Sequence, residues 1–249
     1  MSIKKNLMNL NPPSVWNLCN SGQFYYNSFP ESAANTVFHL LDAPGRGKVI
    51  QIGGICNRYF WGRTYNSDVS QSTYWYFLVN GLRVFKGYNA YESVSSYSYG
   101  PIILPENKGL DFEVDSPAEM QIAFNYRIRD IDEVNATLVQ TNGTAWVDLC
   151  GPVPGGKAYV PMCMSDIIGM QFYNDDTISH DFEIRLYNGD YRMVMGGDVL
   201  SWPSDDILEY QYYALPVVSV GWGLQFRLKE AHATKPCNLL FPYGIAEAV

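Results

Sequence analysis

Histidine is scarce in this chain: among 249 residues there are only His39, His180 and His232. No HxH, HExxH or HxxxH spacing arises, so metal chemistry built on paired histidines is not expected. Charge is also sparse, at 17% of residues, and no segment approaches the roughly 20 apolar residues that span a bilayer as a helix. Met1 to Asn11 holds two lysines but no apolar run, so it does not read as a secretory leader. The five cysteines, Cys19, Cys56, Cys150, Cys163 and Cys237, are odd in number and form no CxxC pair. Neither a disulfide framework nor a zinc knuckle is implied, and reduced, mostly buried thiols are expected.

Catalytic motifs are missing as well. No GxSxG elbow occurs, and Gly45-Arg46-Gly47-Lys48 lacks P-loop spacing. Its counterpart Pro154-Gly155-Gly156-Lys157 favours a repeated β-turn over a phosphate cradle. Glu113 and Asp115 would share a strand face, and they read as a solvated face rather than a hydrolytic pair. Asp175-Asp176 and Asp205-Asp206 lack the regular spacing of a calcium loop. The expectation is therefore a protein that is not an enzyme, with no catalytic residue, cofactor or metal. A net charge of -8 and a pI near 4.8 argue against general nucleic-acid binding, which needs a positive field.

What the chain does have is apolar and aromatic material. Hydrophobic residues make up 47%, with 19 Tyr and 12 Phe, enough for a packed core. Helical periodicity is nearly absent. Short apolar or alternating runs recur between turn signals, which predicts an all-β fold. Strands are expected at Val37–Leu41, Lys48–Ile52, Tyr59–Arg63, Tyr74–Val79, Arg83–Lys86, Leu110–Val114 and Met120–Ile128. In the last, Met120, Ile122, Phe124, Tyr126 and Ile128 alternate with polar positions, the mark of a half-buried strand. Asn80-Gly81 between apolar runs predicts a hairpin, because both residues accept positive φ.

The second half repeats this order. Trp146–Cys150 resembles Val37–Leu41, and Gly156–Val160 echoes Gly47–Gln51. Leu186-Tyr187-Asn188-Gly189 echoes Leu78-Val79-Asn80-Gly81, with an arginine after each turn at Arg83 and Arg192. Phe226–Lys229 reads as the closing strand of its half, as Tyr126–Arg129 does of the first. Lys157 follows Lys48 by 109 positions and Arg227 follows Arg127 by 100, which suggests a longer loop in the first half around Tyr88–Gly100. The pattern predicts an internal duplication with a unit of about 100 residues, the alternative being one irregular β domain. Expected divisions are an extended arm over 1–29, sandwiches over 30–130 and 131–232, and a tail over 233–249. The immunoglobulin Cys…Trp…Cys spacing is missing, which favours two tandem antiparallel jelly-roll-like β-sandwiches.

Two surface features stand out. Tyr88, Tyr91, Tyr97 and Tyr99 lie among serines in one loop, a composition suited to recognition or to a subunit contact. Pro12, Pro13 and Trp16 lie in a stretch where proline forbids helix, fitting an extended assembly arm.

Two jelly-roll-like halves, the arm with Asn11-Pro12-Pro13-Ser14 and the tail with Phe241-Pro242-Tyr243-Gly244 resemble bacteriophage virion proteins. The resemblance is architectural and covers roughly residues 30–232. It is to small double jelly-roll capsid subunits, three of which make a pseudo-hexagonal capsomer. The resemblance implies a capsid shell subunit in the virion, assembled in the host cytoplasm as a homotrimer beside other virion proteins. It implies no direct nucleic-acid contact and no transmembrane segment. The alternatives are a phage head decoration or tail/fibre protein with a glycan-binding sandwich, and a glycan-processing hydrolase on tandem jelly rolls.

Overall fold

The computed structural model describes residues 23–31, 33–52, 62–97, 102–161, 163–164, 167–168, 171–174, 180–189, 191–202, 206–209, 217–230 and 236–247. Every regular element among them is a β-strand, and every strand pair is antiparallel.

The first half is a sandwich. In one sheet β10 (Met120–Asp130) takes β1 (Gln23–Phe29) on one edge. Its other edge carries β4 (Gly62–Asn66) and then β3 (Lys48–Ile52). β7 (Ser93–Tyr97) pairs with β4, and β8 (Ile102–Leu104) with β3. The facing sheet runs β2 (Thr36–Leu41), β9 (Leu110–Val114), β5 (Thr73–Val79), β6 (Leu82–Asn89). Taking β3 with β4, and β7 with β8, as broken single strands leaves eight strands. Their order is compatible with a jelly roll, first strand beside last and second beside second-last.

The second half is wired the same way. β21 (Cys237–Glu247) takes β11 (Val134–Thr141) on one edge and β13 (Lys157–Pro161), then β16 (Gln171–Asn174), on the other, with β19 (Asp206–Glu209) beyond β16. Its other sheet runs β12 (Val147–Cys150), β20 (Gly223–Leu228), β17 (His180–Asn188), β18 (Tyr191–Trp202). A ribbon of β14 (Cys163–Met164) and β15 (Ile167–Ile168) lies between β13 and β16 in the chain. The duplication read from sequence is thus present in the strand order.

The pairing corrects its register. Val79 faces Leu82 around Asn80-Gly81, whereas Asn188 faces Tyr191, so the halves stand 109 residues apart there. Asn80 and Gly81 have φ of 55° and 75°, the positive pair a type I′ turn requires. Gly47 and Gly156 likewise share positive φ, 71° and 77°, at the entries to β3 and β13.

The closing strands differ from those the sequence predicts. Phe226–Leu228 belongs to β20, which occupies the place of β9, not of β10. The counterpart of β10 is β21: Tyr243 faces Pro161 as Tyr126 faces Ile52. That separation is 117 residues, so the added length lies in the second half, after β18, and not around Tyr88–Gly100. The sandwich limits move accordingly. Gln23–Phe29, placed in the arm, is a full strand, because Phe29 is buried and stacks on Phe38 and Phe112. Residues 237–247, placed in the tail, form a central strand whose Leu239, Phe241 and Tyr243 fill the second core. Residues 1–22, with Pro12, Pro13 and Trp16, lie outside the described residues.

The first core is aromatic: Trp75, Phe77, Phe85, Phe112 and Phe124 are fully buried, and Trp75 stacks on Phe85 at 5.5 Å. It does not stop at the end of the first half. Val134 and Ala136 of β11 and Leu240 of β21 belong to it, where β6 and β8 pack against β11 and β21. Asn238 Nδ2 donates to Arg83 O at 3.0 Å, and Gln140 Nε2 to Asn238 Oδ1 at 3.1 Å. Burial of a side chain such as Val134 or Leu240 stabilises by about 1.5–3 kcal/mol. The two halves are therefore welded rather than tethered.

Candidate functional site

The sequence singled out a tyrosine-bearing loop, and its base is a buried hydrogen-bond network. Asn89 is fully buried. Its Oδ1 accepts from Trp75 Nε1 at 3.0 Å and from Thr64 Oγ1 at 2.5 Å, and its Nδ2 donates to Ser93 O at 3.0 Å. Asn66, also fully buried, donates from Nδ2 to Gln71 O at 2.7 Å and Ala90 O at 3.3 Å. Asp68 Oδ1 accepts from Ser70 N, Ser70 Oγ and Gln71 N, and these bonds hold its carboxyl below the usual range. Two buried amides thus fix both loops at this corner, since breaking them would strand polar groups in the core.

On that base stand exposed rings. Tyr88 is 46% and Tyr91 59% exposed, and Tyr74, which faces Tyr88 across β5 and β6, is 43% exposed. The Tyr74 and Tyr88 ring centroids are 5.0 Å apart, and Lys86 Nζ lies 4.4 Å from the Tyr74 centroid. The structure brings Tyr88 to this sheet face with Tyr91 on the adjoining turn. The side chain of Tyr97 and the whole of Tyr99 lie outside the described residues.

Beside it Glu113, read as part of a solvated face, is buried instead. Arg83 binds it through Nε to Oε2 at 3.0 Å and Nη2 to Oε1 at 2.6 Å, while the guanidinium covers Tyr76 at 3.9 Å. A buried carboxylate needs such a two-point partner. Asp115 is occupied too, its Oδ1 accepting from Tyr74 N, Thr73 Oγ1 and Ser116 Oγ. Alternation marked Glu113 as outward-facing, and the arginine after the turn was the available sign of its partner.

The second half carries a different polar ladder. Arg185 lies 3.9 Å and Arg227 4.6 Å from the Trp146 ring. Arg227 pairs with Glu183 at 2.6 Å, and Arg185 donates to Gln225 Oε1 at 2.9 and 2.7 Å. Gln225 Nε2 and Tyr187 Oη both donate to Asp148 Oδ1, at 2.8 and 2.9 Å. Burial, with Asp148 beside it, pushes the Tyr187 phenol up to about 12. Burial also pushes the Cys150 thiol up to about 12, which suits an inert core thiol.

His39 lies on edge strand β2. Its Nδ1 lies 2.8 Å from Asp111 Oδ1 and its Nε2 3.0 Å from Asp42 Oδ1. Two carboxylate partners need two N–H donors, so the bond to Asp111 first, then that to Asp42, raises the imidazole pKa. Any stability this clasp adds is full below the unfolded value of about 6.5 and fades as pH rises through the higher folded value. An NMR titration should place His39 above about 6.5, and Asp111→Asn should move it down. A midpoint unchanged by Asp111→Asn would remove the clasp.

Among the described residues no three His, Cys, Asp or Glu side chains gather as a metal site would need, and no helix is long and apolar enough to cross a membrane.

No protein-family model and no curated protein matches the chain. Solved structures do. The major capsid protein P2 from bacteriophage PM2 is 9% identical with a TM-score of 0.35, covering 91% of this chain and 98% of that one. The structure of PNGF-II is 9% identical with a TM-score of 0.42, and this chain spans 66% of its length while 92% of this chain is covered. A peptide-N(4)-(N-acetyl-beta-D-glucosaminyl) asparagine amidase is 9% identical with a TM-score of 0.39, covering 91% and 96%. The chain is thus loosely similar to all-β proteins of both kinds, in architecture alone. The expectation that it is not an enzyme is corrected by this comparison, because peptide-N-glycanases stand among these neighbours. At these scores the likeness assigns no reaction to this chain.

Proposed function

We propose that the chain is a virion structural protein, a capsid shell subunit of double jelly-roll type. The observation that supports this reading is the weld. Two sandwiches of the same strand order share one apolar core through Val134, Ala136 and Leu240. A shell needs building blocks that transmit force without hinging, and a continuous core supplies that stiffness where a linker would not. Low charge and exposed tyrosines suit broad lateral contacts. In this reading the partners are further copies of the chain, as a homotrimer, and other virion proteins, and the place of action is the virion.

Negative-stain electron microscopy of the concentrated protein tests it, beside an assay for glycan release from a denatured N-glycoprotein. Ordered sheets or closed particles are the expected result. Glycan release that scales with protein concentration, without assemblies, would replace this reading with the hydrolase. Binding only to preformed particles would replace it with a decoration protein.

A further inference from the structure

Near the end of β10, where the chain leaves the first half, two cations converge on one neutral oxygen. Arg127 lies opposite Gln51 in the pairing of β10 with β3, and Arg129 follows two positions later on the same face. Arg127 donates to Gln51 Oε1 from Nε and Nη2, both at 3.3 Å, and Arg129 donates to it from Nη1 at 3.1 Å. Gln51 itself is buried. An amide oxygen has two lone pairs and no charge, so three N–H donors from two guanidinium groups exceed what it satisfies.

Two other arginines of the fold show what is missing. Arg83 holds Glu113 at 3.0 and 2.6 Å, and Arg227 holds Glu183 at 2.7 and 2.6 Å. Arg129 has Glu133, at 2.7 Å, on the link to the second half. Arg127 has no carboxylate partner among the described residues; its hydrogen bonds go to Gln51. Burial, and then the charge of Arg129, lower its pKa from the ordinary value, and Glu133 offsets them only in part. The cluster thus sets two positive charges against one negative. Arg127 is half-buried and the Arg129 side chain is 25% exposed, so a ligand reaches them while water screens them incompletely. Asn125, two positions before Arg127 on the same face, is half-buried too, and its side chain makes no hydrogen bond among the described residues.

We propose that Arg127 and Arg129, backed by Gln51, form a binding site for a single carboxylate group. The planar fork of a guanidinium matches the two oxygens of a carboxylate. Gln51 takes the Nε and Nη2 edge of Arg127 and leaves the N–H groups of Nη1 to a ligand. One negative charge completes the balance, whereas a phosphate dianion would exceed it. Asn125 adds a neutral donor beside the guanidinium. The site needs one chain only and does not depend on the shell reading.

The test follows the Nε–H resonances of Arg127 and Arg129 by NMR in the full chain, as sodium acetate replaces sodium chloride at constant ionic strength. Both resonances are expected to move and to saturate. Gln51→Glu places a carboxylate against both arginines from within, so their resonances should start displaced and no longer respond to acetate. Arg127→Gln, with unchanged circular dichroism, should abolish the saturable shift of Arg129. A peptide blocked at both ends and carrying one aspartate identifies the source of the carboxylate. Saturation at lower concentration than acetate indicates the acidic side chain of a protein, and saturation by acetate alone indicates a free acid. Shifts linear in acetate, or saturation by inorganic phosphate where acetate fails, would overturn the carboxylate site. An acetate response that survives in Arg127→Gln would overturn it equally.

Discussion

A Gly87→Ala chain is expected to lose about 3 kcal/mol of stability or more, the upper range for forcing atoms into a packed core. A Cβ on Gly87 would lie 2.1 Å from Trp75 Cζ2 and 2.2 Å from Cε2, far inside contact distance. The indole cannot step aside at low cost. It is fully buried among Phe77, Phe85 and Phe112, and its Nε1–H is committed to Asn89. Rotating it would leave the Asn89 network short of a donor in the core, a further cost of about 1–3 kcal/mol. Urea unfolding reads this as a lowered midpoint. Gly155→Ala is the control, since no heavy atom lies within 4 Å of its added Cβ. A Gly87→Ala midpoint equal to the control's would mean that Trp75 does not occupy this site.

Leu240→Ala carries the second large effect, about 2–5 kcal/mol for an aliphatic truncation in a core. The position separates this loss from an ordinary one. Leu240 sits on a strand of the second half and packs in the core of the first. Wild type should therefore melt in one transition in calorimetry, and Leu240→Ala should lower that single transition. Leu240→Arg, which puts a charge at the weld, should split it in two. Two independent wild-type transitions would show that the halves are merely neighbours.

Most of the fold is legible in the sequence because strands advertise themselves by alternation. Met120, Ile122 and Phe124 point into the first core, although Gln121 and Ala123 between them are buried too and Ile128 is exposed, and Asn80-Gly81 forms the turn its positive φ angles suit. The limits of the halves were not legible. Gln23–Phe29 holds four aromatics among polar residues, a pattern shared by an extended arm and an edge strand, and only the partner strand distinguishes them. Phe226–Lys229 alternates and reads as a closing strand in the sequence, with 233–249 as a tail, and only the pairing of β21 with β11 gives the closing place to Cys237–Glu247.

Site legibility was lower still. Tyr88 and Tyr91 are exposed, but Tyr88 stands on strand β6 and not in the loop the sequence suggested. The Arg83–Glu113 pair joins residues 30 apart in the chain and depends on β5 lying between β6 and β9. The Trp146–Arg185–Arg227 stack likewise spans three segments. Catalytic groups can converge from equally distant positions, so the lack of a linear motif was no ground for excluding an enzyme.

The absolute mass of the purified chain by light scattering, over a wide concentration range, tests the shell-subunit account most directly. The account predicts a stable species of three times the 28.2 kDa chain mass, growing to larger assemblies as concentration rises. A strict monomer at every concentration would contradict it.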